Sequence, residues 1–248
     1  MHSAYQRIVP GADTALLCIH GIIGTPRHFD RFLTLVPENI SVYNILLDGH
    51  GKGVKEFSAA SMKKWEAQVS EAIEFLSKEH NNIYVLAHSM GTLLALDEVA
   101  KGNRIQKMFL LAVPLRIHIK GVLLKNLWNV YFNRIDPNDP IGTAARNCCG
   151  VTQSRNIFLY LGWIPRYLEL FQKIARVQKI LPDLQTPCSV YQSRNDELVS
   201  LRSVAHLHKL PAASVEILEN CYHFYYDSKD FDTLLKDFTA FIQEKGAQ

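Results

Sequence analysis

Three residues of this chain could together perform covalent chemistry: Ser89, Asp196 and His223. A serine hydroxyl is a weak nucleophile until a base takes its proton, and that base needs an acid to fix its tautomer and stabilise its cation. Ser89 stands in Ala87-His88-Ser89-Met90-Gly91, Asp196 in the loop from Ser193 to Val199, and His223 in the loop from Glu219. The chemistry such a set would support is acyl transfer through an intermediate on Ser89. Other candidates fit less well. Asp183 precedes a strand where the acid should follow one, Glu197 is an understudy to Asp196, His206 and His208 fall on a helical stretch, and His50 reads as structural.

The surroundings of Ser89 strengthen its case. Ile83 to Ala87 is an apolar run of strand length, and Leu93, Leu94, Ala95 and Val99 follow among helix formers. A side chain thrown out at a strand-to-helix corner needs small neighbours two positions away on each side, and Ala87 and Gly91 provide them. A helix starting at Met90 points its first N–H groups toward an oxyanion beside Ser89, so the Met90 N–H is expected to serve as one donor. The loop His20-Gly21-Ile22-Ile23-Gly24-Thr25-Pro26 follows a continuous apolar strand, Ala15 to Ile19. Its glycines let the backbone pass close to something, and Ile22 is expected to supply the second donor.

Positioning these residues requires a layered scaffold. Apolar strands are expected at Ala15–Ile19, Val42–Leu47, Ile83–Ala87, Met108–Val113, Ser189–Gln192 and Val215–Leu218, with a weaker leading strand over Tyr5–Val9. Met62, Trp65, Val69, Ala72, Ile73 and Leu76 recur at helical spacing behind Ser61, a capping residue, and Phe231–Ile242 forms a closing helix. Alternating strands and helices imply an α/β fold: a mainly parallel central sheet with helices on both faces. Asp196 and His223 then fall after two successive strands, on the edge where Ser89 emerges.

The alternation breaks between Leu115 and Leu184. Gly121–Phe132 is almost wholly apolar, Arg134–Arg155 reads as loop with Asp136-Pro137 and Asp139-Pro140, and Tyr167 to Leu181 has helical periodicity. We read 115–184 as an inserted helical cap on a core of 1–114 and 185–248, with part of its apolar face lining a pocket. Between Arg116 and Lys179 ten basic residues stand against three acidic ones, although the whole chain carries only +3. That excess is either a solvated basic face or a site of transient contact with an anionic lipid surface or substrate handle.

Composition limits the rest. The chain is 48% hydrophobic and 21% charged over 248 residues, which suits one globular α/β domain with an insertion. No basic run with interleaved aromatics points to nucleic acid, and no apolar stretch approaches bilayer length. Five cysteines without framework spacing suit a reducing, cytoplasmic compartment, and Cys148-Cys149 lack the spacing of a metal knuckle. The glycines of Asp48–Gly53 lack the Lys-Ser/Thr ending of a phosphate loop. Neither a cofactor nor a metal is expected, and a monomer or homodimer fits equally.

Taken with their order along the chain, these motifs resemble those of the α/β-hydrolase fold superfamily. His20–Thr25 resembles its oxyanion loop, Asp48–Gly51 the turn after the next strand, Ala87–Gly91 the nucleophile elbow, Asn195–Val199 the acid loop, and His223 the base. Ala87 departs from the more usual glycine. Within the superfamily the chain looks like small capped bacterial carboxylesterases and monoacylglycerol lipases. That resemblance implies a cofactor-free serine hydrolase acting on short- to medium-chain acyl esters or monoacylglycerols, with Ser89, Asp196 and His223 catalytic and Ile22 and Met90 as oxyanion donors. A thioesterase or amidase would use the same residues. A carbon–carbon hydrolase and a ligand-binding module with little turnover are the other readings.

Overall fold

The computed structural model describes residues 2–118, 121, 136 and 138–244. Strands β1 (Tyr5–Arg7), β2 (Thr14–Ile19), β3 (Ser41–Asn44), β4 (Asn82–His88), β5 (Lys107–Leu111), β6 (Cys188–Ser193) and β7 (Ala213–Leu218) form one sheet in the order β1-β3-β2-β4-β5-β6-β7. All neighbours are parallel except β1, which runs antiparallel to β3 at the edge. The central strands are buried on both faces, which is why they read as unbroken apolar runs.

Alternate residues feed two cores. Leu17, Ile19, Val85, Ala87 and Leu110 pack with Phe57 of α2 (Val54–Ser58), with Trp65, Val69 and Ile73 of α3 (Met62–Ser77) and with Leu93 and Leu94 of α4 (Met90–Ala100). Leu16, Cys18, Leu86 and Phe109 face the opposite side, against Phe32 of α1 (Asp30–Leu33) and Leu234, Phe238 and Phe241 of α8 (Ser228–Gln243). Ser61 caps α3 by accepting the Lys64 N–H at 3.2 Å, and the six expected apolar positions of that helix are all buried. The parallel sheet, the helices on both faces and the expected α/β-hydrolase fold are therefore present.

Several boundaries differ from the sequence reading. β3 ends at Asn44 rather than Leu47, because Leu47 donates its N–H to His20 Nε2 and not to the sheet. β5 ends at Leu111 because Ala112 turns into the left-handed region at φ 53°. Pro140–Asn147, expected as loop, is helix α5: Asp139 accepts the N–H groups of Ile141 and Gly142, and Pro140 takes the first-turn place where its missing N–H costs nothing. The helical stretch expected around His206 and His208 is a 3₁₀ turn, Leu201–Ser203, followed by α7 (Val204–Leu207), which ends before His208. Pro26 opens a 3₁₀ turn, Pro26–Phe29, and the Thr25 hydroxyl meets His2 Nδ1.

Within 115–184, the 3₁₀ segment Ile157–Trp163 leads into α6 (Ile164–Ile180). The inner face of α6 carries Leu170, Ile174 and Val177 into the core shared with α3 and α4. It also carries charge inward: Lys173, 4% exposed, meets Asp97 of α4 at 2.9 Å and Glu66 of α3, and Arg176 Nε meets the other Asp97 oxygen at 2.6 Å. Burial alone would raise the Asp97 pKa, but hydrogen bonds and charge from Lys173 and Arg176, with Lys101, hold it below the usual carboxylate range. Among the described residues of this segment, Arg166, Lys173 and Arg176 thus meet carboxylates. Lys120, Lys125, Arg134 and the apolar stretch after Gly121 lie outside the described residues.

Candidate active site

β4 stops at His88, and α4 begins at Met90. Between them Ser89 adopts φ 52°, ψ −125°, a conformation that costs a non-glycine residue on the order of 1–3 kcal/mol and persists only where its surroundings impose it. They do so here by lack of space and by pairing. A Cβ on Gly91 would overlap the Ile19 carbonyl and lie 2.8 Å from His20 O, so only glycine lets α4 start this close to β2. The Ser89 N–H donates to Leu111 O at 2.9 Å, and its carbonyl accepts both the N–H and the hydroxyl of Thr92, at 2.9 and 2.7 Å.

The loop after β2 passes directly over this corner. A Cβ on Gly21 would stand 2.8 Å from Ser89 Cβ, so the glycine ahead of Ile22 exists to let the loop touch the serine. The chain then turns tightly: Gly24 donates to Gly21 O at 3.0 Å, and Ile23 takes φ 50°. Half-buried Ile22 thus follows the glycine that lies against Ser89, and fully buried Met90 follows Ser89 itself as the first residue of α4.

In the loops after β6 and β7, His223 Nδ1 lies 2.8 Å from Asp196 Oδ2, both side chains being almost wholly buried. The other oxygen of Asp196 accepts the N–H groups of Leu198 and Val199, each at 2.7 Å. These bonds aim one carboxylate oxygen at the imidazole. The backbone of His223 is held at both ends: its N–H donates to Glu197 at 3.1 Å, and its carbonyl meets His88 Nε2 at 3.0 Å. The rings of His88 and His223 are centred 4.7 Å apart, so strand β4 meets the His223 loop one residue before Ser89. Burial would lower the His223 pKa, but the charge and hydrogen bond of Asp196, with the charge of Glu197, raise it above the ordinary imidazole value.

Sequence reasoning had no signal for His88 and His28, whose rings are centred 4.0 Å apart beside His223. Burial pushes both downward, His28 to about 3, so they stay neutral where His223 titrates. It also treated Glu197 only as a substitute acid, whereas Glu197 holds the backbone of His223. His50, expected to be structural, is buried among His20, Phe57 and Trp65. All five cysteines are unpaired, and among the described residues no cluster of three or more His, Cys, Asp or Glu side chains could hold a metal. No helix there is long and apolar enough to cross a membrane.

Comparisons with solved structures agree on the architecture. The chain superimposes on a metagenome-derived lipolytic enzyme described with LipS and LipT, with TM-score 0.74 and 19% identity over 98% of each chain. It matches the monoacylglycerol lipase of Paleococcus ferrophilus with TM-score 0.69 and 14% identity, over 97% of this chain and 99% of that one. Est1E from Butyrivibrio proteoclasticus, solved with ferulic acid bound, matches with TM-score 0.66 and 16% identity over 97% and 93%. No curated protein sequence matches. A family model described as "Serine aminopeptidase, S33" matches residues 10–230, and the chain accordingly belongs to that family of serine-hydrolase enzymes with the α/β-hydrolase fold.

Proposed function

We propose that the protein hydrolyses carboxylic esters through an acyl-enzyme on Ser89, with His223 as base, Asp196 as its acid partner and the N–H groups of Ile22 and Met90 as oxyanion donors. The observation that carries this reading is the Asp196–His223 pair, held at 2.8 Å on the sheet edge where Ser89 leaves the strained corner. Ser89 Oγ attacks the ester carbonyl as His223 Nε2 takes its proton. The tetrahedral oxyanion collapses, the alcohol leaves with the proton from His223, and water repeats the sequence to release the acid. Asp196 keeps the Nδ1 proton in place and stabilises the imidazolium without taking that proton itself.

Ester rather than peptide substrates are favoured by the lipolytic and esterase neighbours together with the apolar character of the cap. The outer side of that cap also supports transient contact with a lipid surface. Ile157, Leu161, Ile164, Leu168 and Phe171 recur every three or four residues, and with Phe158 they are 51–74% exposed. A contiguous apolar stripe of this kind marks an interaction site more often than plain surface. The basic excess contributes less, because Arg166, Lys173 and Arg176 are already engaged. A cytoplasmic location belongs to the same reading, resting on the five unpaired cysteines.

The test is hydrolysis of p-nitrophenyl esters from acetate to laurate, free and dispersed in phosphatidylglycerol vesicles, by the protein and by Ser89→Ala. Turnover should peak at an intermediate acyl length, rise on vesicles, and fall at least about 10⁴-fold in the variant. Turnover of acyl thioesters alone would move the reading to a thioesterase. Undiminished ester turnover by Ser89→Ala would end it.

A further inference from the structure

The segment Cys148–Thr152, which follows α5 inside the inserted region, does not stay on the surface. It runs between the loop that carries Ile22 and the loop after β3, and it bonds to both. Gly150 donates its N–H to Ile23 O at 2.7 Å, Gly51 donates to Gly150 O at 2.6 Å, and Thr152 donates to Lys52 O at 2.7 Å. Thr152 pairs in parallel with Gly53 as an isolated bridge, and Val151, 4% exposed, anchors the segment in the core. Gly150 is buried, and a Cβ there would overlap Gly24 O and lie 2.8 Å from its carbonyl carbon. No other residue type fits without moving the loop after β2.

Ile23, the acceptor of the Gly150 bond, is the residue held at φ 50° directly after Ile22. A strained peptide next to a donor group needs an outside constraint, since relaxing it would rotate the neighbouring amide. We propose that Gly150 is a positioning residue for the oxyanion hole: the strap it belongs to holds Ile23 in place and so keeps the Ile22 N–H aimed beside Ser89. The inserted segment then completes the site through the backbone. This inference rests on the proposed roles of Ser89 and Ile22.

A misaimed donor weakens stabilisation of the tetrahedral state more than it weakens substrate binding, so kcat should fall while KM holds. The experiment compares the full chain with Gly150→Ala and Val151→Ala, the second loosening the strap without adding bulk beside Gly24. Three readouts are steady-state hydrolysis of p-nitrophenyl butyrate, inhibition by an alkyl trifluoromethyl ketone that forms an oxyanion on the serine, and thermal unfolding. Gly150→Ala should lose about 10- to 10³-fold in kcat, at most the loss expected when one oxyanion donor is removed, with KM within about twofold and ketone affinity falling in parallel. Val151→Ala should show the same pattern at roughly three- to tenfold. A folded Gly150→Ala with unchanged kcat overturns the proposal. If that variant does not fold, Val151→Ala decides: unchanged kcat, or a loss matched by the unfolded fraction alone, overturns it. Failure of the unaltered protein to hydrolyse esters or to bind the ketone would instead count against the role of Ser89.

Discussion

The two sides of the site are held by different physics. Around Ser89 the constraint is steric: Gly21 and Gly91 exist because a single methyl group would collide with the serine or with β2, and the strained serine is wedged between them. Around His223 the constraint is bonded: two N–H groups orient Asp196, Asp196 orients the imidazole, and Glu197 and His88 hold the backbone on either side. A sterically held group tolerates no added atom, whereas a bonded group tolerates an isosteric change in place and loses only its chemistry. The strained half therefore couples activity to folding, and the bonded half separates them.

Substitutions on the two sides sharpen this contrast. The largest loss of activity with the fold intact is expected for Asp196→Asn. Its oxygen still accepts the Leu198 and Val199 N–H groups, but its amide then faces Nδ1 and selects the wrong tautomer. Ester hydrolysis should drop on the order of 10⁴-fold while thermal unfolding shifts by no more than a few degrees. Gly91→Ala should do the reverse, lowering stability by about 1–3 kcal/mol or more from overpacking, with activity lost alongside the fold; denaturant unfolding measures it. A stable, active Gly91→Ala would erase the distinction between the two halves.

The smallest effect concerns pH. Only neutral His223 can accept a proton, so kcat/KM should fall with acidification through a pKa above the ordinary 6.5. His88 and His28, neutral throughout that range, do not contribute to the limb. The same raised pKa means that protonated His223 stabilises the fold in full below pH 6.5, and that this contribution fades as pH rises through the folded value. Glu197→Gln retains a hydrogen-bond acceptor for the His223 N–H while removing a charge, and should move the acid limb to lower pH with the plateau little changed. A limb that stays in place would show that Asp196 alone sets it.

Much of the scaffold could be read from residue patterns, because burial on one helix face or on both strand faces is written locally. The six apolar positions of α3 and the runs of β2 and β4 are such cases. Ser89, Asp196 and His223 stood out for a similar reason, each being a reactive residue in a turn after a strand. What stayed hidden depends on contacts distant in sequence. The bond from Lys173 to Asp97 spans 76 residues, and nothing near either residue announces the other. Gly150 falls within Arg134–Arg155, the stretch read as loop, and nothing there singles it out, since the carbonyl that excludes a side chain belongs to Gly24. α5 was misread because Asp139-Pro140 serves turns and helix starts equally well.

The most direct test of the central claim is mass spectrometry of the protein after reaction with an alkyl fluorophosphonate, which phosphonylates an activated serine as fluoride leaves. One adduct per chain is expected, on the peptide containing Ser89, with reaction slowed by orders of magnitude in His223→Ala. Absence of an adduct on a folded protein, or an adduct on another serine, would contradict the assignment of Ser89 as the nucleophile.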